Sequence, residues 1–276
     1  MIIKKSNQII DLRGETYKGS ILIRGAVSNV TIENGTIKGE IRCRAEGYRD
    51  VVERWNKTGD WTRAIREASP SYVTLRNLKV LGGEDVHQVY LGPGTTYVDV
   101  RKVRFVGRSA GPSLYMSMES GHHRVTDCVF DSKTGSKREV IAIDGSADNV
   151  IRNNLFRNCR WGGIYIYRNS GENGTIRHQE PRRNLITRNR FDLSDMALLR
   201  LGLDVDIPWG VKIGSRQGSR VRHNDLDAGY PWGSSESNLD FARENAVVRN
   251  RFKGDRWRRW VLDNDSDNEV ANNEAW

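Results

Sequence analysis

The feature that most constrains this chain is a six-residue phrase that returns along its whole length. Each copy reads apolar, any, polar, Asn or another polar residue, any, apolar. Copies begin at Ile32, Leu75, Val100, Val125, Ile151, Ile186, Val221, Val247 and Val270, with successive starts 43, 25, 25, 26, 35, 35, 26 and 23 residues apart. A unit of about 25 residues, sometimes lengthened, marks a solenoid whose copies stack on one another. The unit is too short for a strand–helix pair with its connections, and its apolar residues alternate. Val73, Leu75, Val98, Val100, Val125, Ile151 and Val221 fall on one parity, as half-buried strands require. Second strands are expected at residues 86–91, 114–118, 140–143, 164–167, 211–213, 239–241 and 260–262. Two or three short strands per turn make a coil of parallel strands, with turns about 4.8 Å apart and a rod roughly 40 Å long.

Asn34, Asn77, Asn153, Asn154, Asn189, Asn224, Asn250 and Asn273 fall two or three residues into the phrase, near a corner of each turn. Asn tolerates left-handed backbone, bonds locally and forms ladders when stacked, so these residues read as scaffold.

On this repeat, its Gly-rich corners and its Asn positions, the chain from Asn7 to Trp276 resembles the right-handed parallel β-helix superfamily of pectate lyases, polygalacturonases, alginate-modifying enzymes and phage tailspikes. The stretch Gly162–Pro181, opening Gly-Gly-Ile-Tyr-Ile-Tyr-Arg, looks similar to bacterial and phage members. The resemblance implies an all-β fold, a single-stranded right-handed parallel β-helix of one domain over residues 1–276, and, for tailspikes, a homotrimer. It does not carry catalytic residues. Val140-Ile-Ala-Ile-Asp-Gly-Ser146 lacks the paired aspartate of polygalacturonase-like enzymes, and Arg160-Trp-Gly-Gly163 lacks their histidine.

Composition narrows the partners. Net charge is +9 and hydrophobic content 37%, with a mean hydropathy of −0.65; this suits a thin coil whose alternate residues face solvent. Arginine is spread through the repeats and no nucleic-acid motif is visible, so an acidic polysaccharide is the expected polyanion. No apolar run approaches the ~20 residues that span a bilayer. The start, Met1-Ile-Ile-Lys-Lys, does not read as a secretory signal. The last phrase has no evident cap, which suggests a neighbouring subunit or another virion protein. Together these point to a virion, or to the outside of a cell after lysis. Cys43, Cys128 and Cys159 show no metal-ligand spacing and read as thiols, Cys128 buried.

Three insertions interrupt the repeat. Residues 42–69 form a small helical insertion, with Val51, Val52 and Trp55 on one face and Trp61, Ala64 and Ile65 on another. Residues 170–183 and 194–209 lengthen connections at opposite edges of one sheet, and would wall a groove floored by that sheet. By parity the floor presents Tyr90, Ser117, Ala142, Tyr165, Lys212 and Asp240, then Glu119, Asp144 and Tyr167. Tyr90, Tyr165 and Tyr167 offer flat faces to a sugar ring. Glu119 and Asp144, expected on adjacent turns about 5 Å apart, suit retaining glycoside hydrolysis, or a calcium site; no other cofactor is implied. Lyase chemistry would instead use Tyr167, Arg168, Lys212 or His178 as base or charge stabiliser, with Arg177 beside them. Three readings therefore stand: a phage tailspike or fibre component that recognises an acidic surface polysaccharide, with or without cleaving it, a stand-alone lyase or glycoside hydrolase, and a non-catalytic structural or adhesive coil.

Overall fold

The computed structural model describes residues 1–47, 61–82, 87–135, 138–157, 159, 161–169, 177–193, 209–214, 222–225, 230–232, 241–254 and 260–276. The chain winds as a right-handed parallel β-helix with three faces. Face A stacks, among the described residues, Ile2–Ile3, Ile21–Arg24, Ile41–Arg44, Val89–Leu91, Leu114–Met116, Ile141–Asp144, Ile164–Tyr167, Val211–Ile213 and Val261–Asp263. Faces B and C come from the two halves of the repeated phrase. They are one continuous strand in the early turns, as in Ser71–Leu81, and two short strands later, as in Arg124–Thr126 and Val129–Thr134.

Alternation supplies the core. Ile141, Ile143, Ile164 and Ile166 from face A meet Val125 and Ile151 from face B, all fully buried. On face C the last residue of the phrase makes a continuous stack: Phe105, Phe130, Phe156, Phe191 and Phe252 lie parallel with centroids 4.4 to 4.9 Å apart, and Trp260 follows at 5.5 Å. Cys43, Cys128 and Cys159 are buried thiols, and burial pushes Cys43 and Cys128 up to about 12.

Each turn bends sharply at two corners, where one residue takes positive φ. At the B–C corner these are Asn34, Asn77, Lys102, Asp127, Asn153, Arg188, Arg249 and Asn272. At the A–B corner they are Asn7, Asn29, Tyr72, Tyr97, His122, Asp148, Arg183, Glu244 and Asp267. That conformation costs a side-chain-bearing residue about 1–2 kcal/mol, least for Asn and Asp. Asn154, Asn189, Asn250 and Asn273 sit just inside the B–C corner as a side-chain ladder, with Nδ2 donating to the next Oδ1 at 2.9, 3.0 and 3.1 Å.

One expected turn is not in the coil. The phrase beginning at Val221 and the strand expected at 239–241 would occupy a turn between Ile186 and Val247. Instead Ile186 lies directly opposite Val247, and Lys212 directly opposite Leu262. Arg222–Asp225 pairs antiparallel with Tyr230–Trp232. Phe191 stacks on Phe252, and Asn189 bonds Asn250; the phrase at Val221 ends in Leu226 and offers no ring to that stack. Asp240 lies outside the described residues, and Leu262 holds the place beside Lys212 where it was expected.

Helix Trp61–Glu67 packs on the flank of the coil, burying Trp61 and Ile65 against Ala45 and Met118. The other helical face expected in that insertion, at Val51, Val52 and Trp55, lies outside the described residues. No helix among the described residues is long and apolar enough to cross a membrane.

Candidate functional site

Register fixes what faces outward on face A. Arg42, Tyr90, Tyr115, Ala142, Tyr165, Lys212 and Leu262 occupy one column. Tyr115, not Ser117, stands beside Tyr90. The signal was present in the sequence, because one 25-residue period from Tyr90 lands on Tyr115. Five steps separate Arg42 from Lys212, so the column runs about 24 Å at about 4.8 Å per turn.

Three tyrosines, Tyr90, Tyr115 and Tyr165, give that column its ring faces. His87, Tyr90 and Tyr115 cluster with centroids 5.0 to 5.6 Å apart. The Arg42 guanidinium lies 5.2 Å above the Tyr90 ring, and Lys212 Nζ 5.3 Å above the Tyr165 ring, both within cation–π range. Arg42 is held by Glu40 through Nε and Nη2. Tyr165 is only 4% exposed: Tyr167 lies at 4.3 Å, Trp209 meets it edge-on at 5.7 Å, and its hydroxyl donates to Gly214 O at 3.0 Å. Trp209 in turn rests on Gly162, where any side chain would overlap the indole. Tyr165 is therefore a covered support, while Tyr90 and Tyr115 keep part of their surface open.

His87 Nδ1 is 3.0 Å from Pro112 O. A carbonyl only accepts, so Nδ1 carries the proton. Burial, with the nearby Arg138 and Arg42, lowers this imidazole to about 4 despite the Pro112 bond. It is a neutral ring at neutral pH.

The acids take a different place from the one parity suggested. Glu119 lies past the end of its strand in a tight turn at φ 58, fully enclosed. Its carboxylate accepts from Thr62 Oγ1 at 2.6 Å and from the backbone N–H of His178 and Gln179 at 2.7 and 3.0 Å. Arg66 adds a bond to Glu119 O at 2.9 Å and one to Gln179 Oε1 at 2.5 Å. Glu119 thus ties helix Trp61–Glu67 and the wall at Arg177–Gln179 to the coil. Asp144, 1% exposed, accepts from Tyr115 Oη and from Asn169 N at 3.0 Å, and pairs with Arg177 at 2.9 Å. Arg177 also donates to Asn169 O, and Arg168 donates to Arg177 O at 3.1 Å. Both carboxylates are occupied by the protein's own donors, and together they hold Asn169 and Arg177–Gln179, the described ends of the insertion expected to wall the groove.

Tyr167 stands next to Asp144 in register, with Arg138 Nη2 3.3 Å from its hydroxyl and 2.9 Å from Glu139 Oε1. Burial, then the negative charges of Asp144 and Glu139, push the Tyr167 phenol well above its ordinary value. Burial and Asp144 do the same to Tyr115. Both phenols stay protonated; Tyr115 donates to Asp144, and Tyr167 accepts from Arg138. Sequence reasoning did not single out His87, Tyr115, Arg138 or Arg42. Only the coil brings these scattered residues to one surface. No group of three or more His, Cys, Asp or Glu side chains converges to hold a metal among the described residues.

No family model matches the chain, and no curated protein matches it. Among solved structures, it is similar to the surface protein and adhesin PfbA of Streptococcus pneumoniae, with a TM-score of 0.54 and 12% identity over 99% of this chain and 79% of that one. A tailspike protein double mutant of E. coli bacteriophage HK620 gives 0.48 and 14%, over 96% of this chain and 49% of the tailspike, so this chain spans about half its length. An alginate lyase from Paenibacillus sp. gives 0.39 and 10%, over 99% and 87%. At such identities the likeness lies in the coil alone.

Proposed function

We propose that the outward surface of face A binds an acidic polysaccharide lengthwise. The observation that carries this reading is the column itself, in which half-open rings at His87, Tyr90 and Tyr115 lie between Arg42 at one end and Lys212 at the other. Ring faces hold the apolar side of a sugar, and cations at both ends meet carboxylate or sulfate groups. The chain's net charge of +9 adds long-range attraction for such a polymer. Arg138 and Tyr167 extend the donor set along the same surface.

Recognition is favoured over cleavage because Glu119 and Asp144 are enclosed and occupied, and because Tyr167 is held protonated, unsuited to removing a proton. The coil serves proteins named adhesin, tailspike and alginate lyase, so this choice rests on the site. A tailspike or fibre setting with three copies side by side belongs to the same proposal, on the resemblance in the repeat; a monomeric mass by light scattering removes that part.

The test is binding of purified protein to immobilised alginate, polygalacturonate and acidic capsular polysaccharides. At least one is bound, more weakly as salt rises. Tyr90→Ala and Arg42→Gln each weaken that binding about tenfold. No binding, or binding indifferent to both substitutions, sinks the reading. Ultraviolet absorbance from β-elimination, or new reducing ends that Asp144→Asn abolishes, would replace recognition with catalysis.

A further inference from the structure

A second surface, on face B, has no part in the column described above. Four residues are stacked at the A–B corner in successive turns: Asn29, Tyr72, Tyr97 and His122. The three rings are parallel, with centroids 4.8 Å apart at both steps and planes within 3° and 8°. Tyr72 is 54% and Tyr97 44% exposed, which sets them apart from the buried Phe stack.

All three ring-bearing residues have positive φ, a conformation that bulky side chains avoid. Elsewhere in this corner column the position is filled by Asn7, Asn29, Asp148, Arg183, Glu244 and Asp267. The corner therefore does not need rings. Where the aromatic run stops, the short Asn29 sits under Tyr72, held by a bond of 3.1 Å to Asn7. The Tyr72 ring overhangs it and walls an open hollow of about 570 Å³. The floor of this hollow is the outward column Ile9, Thr31, Thr74 and Asp99.

We infer that this hollow binds an uncharged pyranose unit, laid against the Tyr72 ring. The volume falls in the range of small-ligand sites, and the lining combines a flat ring and Ile9 with hydroxyl and amide groups. Among the described residues the lining contains no lysine or arginine, and its single acid, Asp99, faces Arg101 at 3.5 Å. The lining itself brings a polyanion no cation, whereas sugar hydroxyls meet both donors and acceptors there. The two surfaces thus differ in chemistry, and this inference does not rest on the reading of face A.

The test uses an array of neutral hexose and N-acetylhexosamine oligosaccharides, followed by saturation-transfer NMR on those retained. At least one is bound, with contacts to the tyrosine rings. Tyr72→Asn, which places at the corner the residue type already found at position 29, weakens binding tenfold or more while melting shifts by no more than a few degrees. Retention of acidic polysaccharide is unchanged in the same variant. No retained neutral glycan, or one indifferent to Tyr72→Asn, overturns the inference. A change of oligomeric mass in Tyr72→Asn, with glycan retention intact, overturns it too and makes the stack a contact between copies.

Discussion

The two halves of the coil close the same backbone corners with opposite chemistry. At one inward corner position the early turns carry Val30, Val73 and Val98, and the later ones Asn149, Asn184, Asn245 and Asn268, with His123 at the junction. At the other, Leu78, Val103 and Cys128 give way to Asn154, Asn189, Asn250 and Asn273. From the second rung of each ladder on, the Oδ1 accepts from the backbone N–H and the Nδ2 of the preceding rung, and each Nδ2 of the second ladder also reaches a carbonyl such as Ile151 O or Ile186 O. A buried amide is stable there because its bonds are made on both sides. At these inward positions the early half gains from apolar burial, and is the softer one to alter.

Alanine on each side should break this comparison most visibly. Asn189→Ala strands the Asn154 donors and the Ile151 carbonyl together, and should cost about 4 kcal/mol in urea unfolding. Val73→Ala removes only buried methyl groups and should cost about 2 kcal/mol. Equal losses would mean that the ladder is no stiffer than the apolar column.

The junction can be sharpened with pH. Burial holds His123 down to about 3, and His87 to about 4, against an unperturbed value of 6.5. Folded values below the unfolded one mean that the unfolded chain takes up protons first as pH falls. Stability from these two groups is whole above about 6.5 and drains away toward 4 and 3. His123→Asn adds a rung to the first ladder, where His123 N already donates to Asn149 Oδ1 at 2.9 Å. Melting temperature against pH should then fall less steeply on the acid side than in wild type; an unchanged slope contradicts the assignment. The smallest effect is expected at the corner itself. Asn153, at φ 58, should lose about 1 kcal/mol as Ala and little as Gly in thermal unfolding.

The candidate surfaces were only partly legible. Tyr90 and Lys212 were placed on one outward column from alternation alone, because parity survives without any knowledge of the fold. Glu119 was not, since two residues past the end of Leu114–Met116 the chain turns and parity stops applying. His87 and Arg138 come from connections, which carry no period. Nothing in the repeat singles out Tyr72 and Tyr97; their positive φ puts them at a corner.

By itself the sequence determined the coil. A 25-residue period with alternating apolar residues has one low-energy solution, turn upon turn, and Asn at fixed places in the phrase marks its corners. Tertiary structure decided which turns touch. The phrase at Val221 has the right letters, Asn224 included, yet it ends in Leu226 where Phe252 offers Phe191 a ring, so Val247 takes the place beside Ile186. Local pattern sets what a segment can become; contact between distant turns, where rings and amides must match, sets whether it is used.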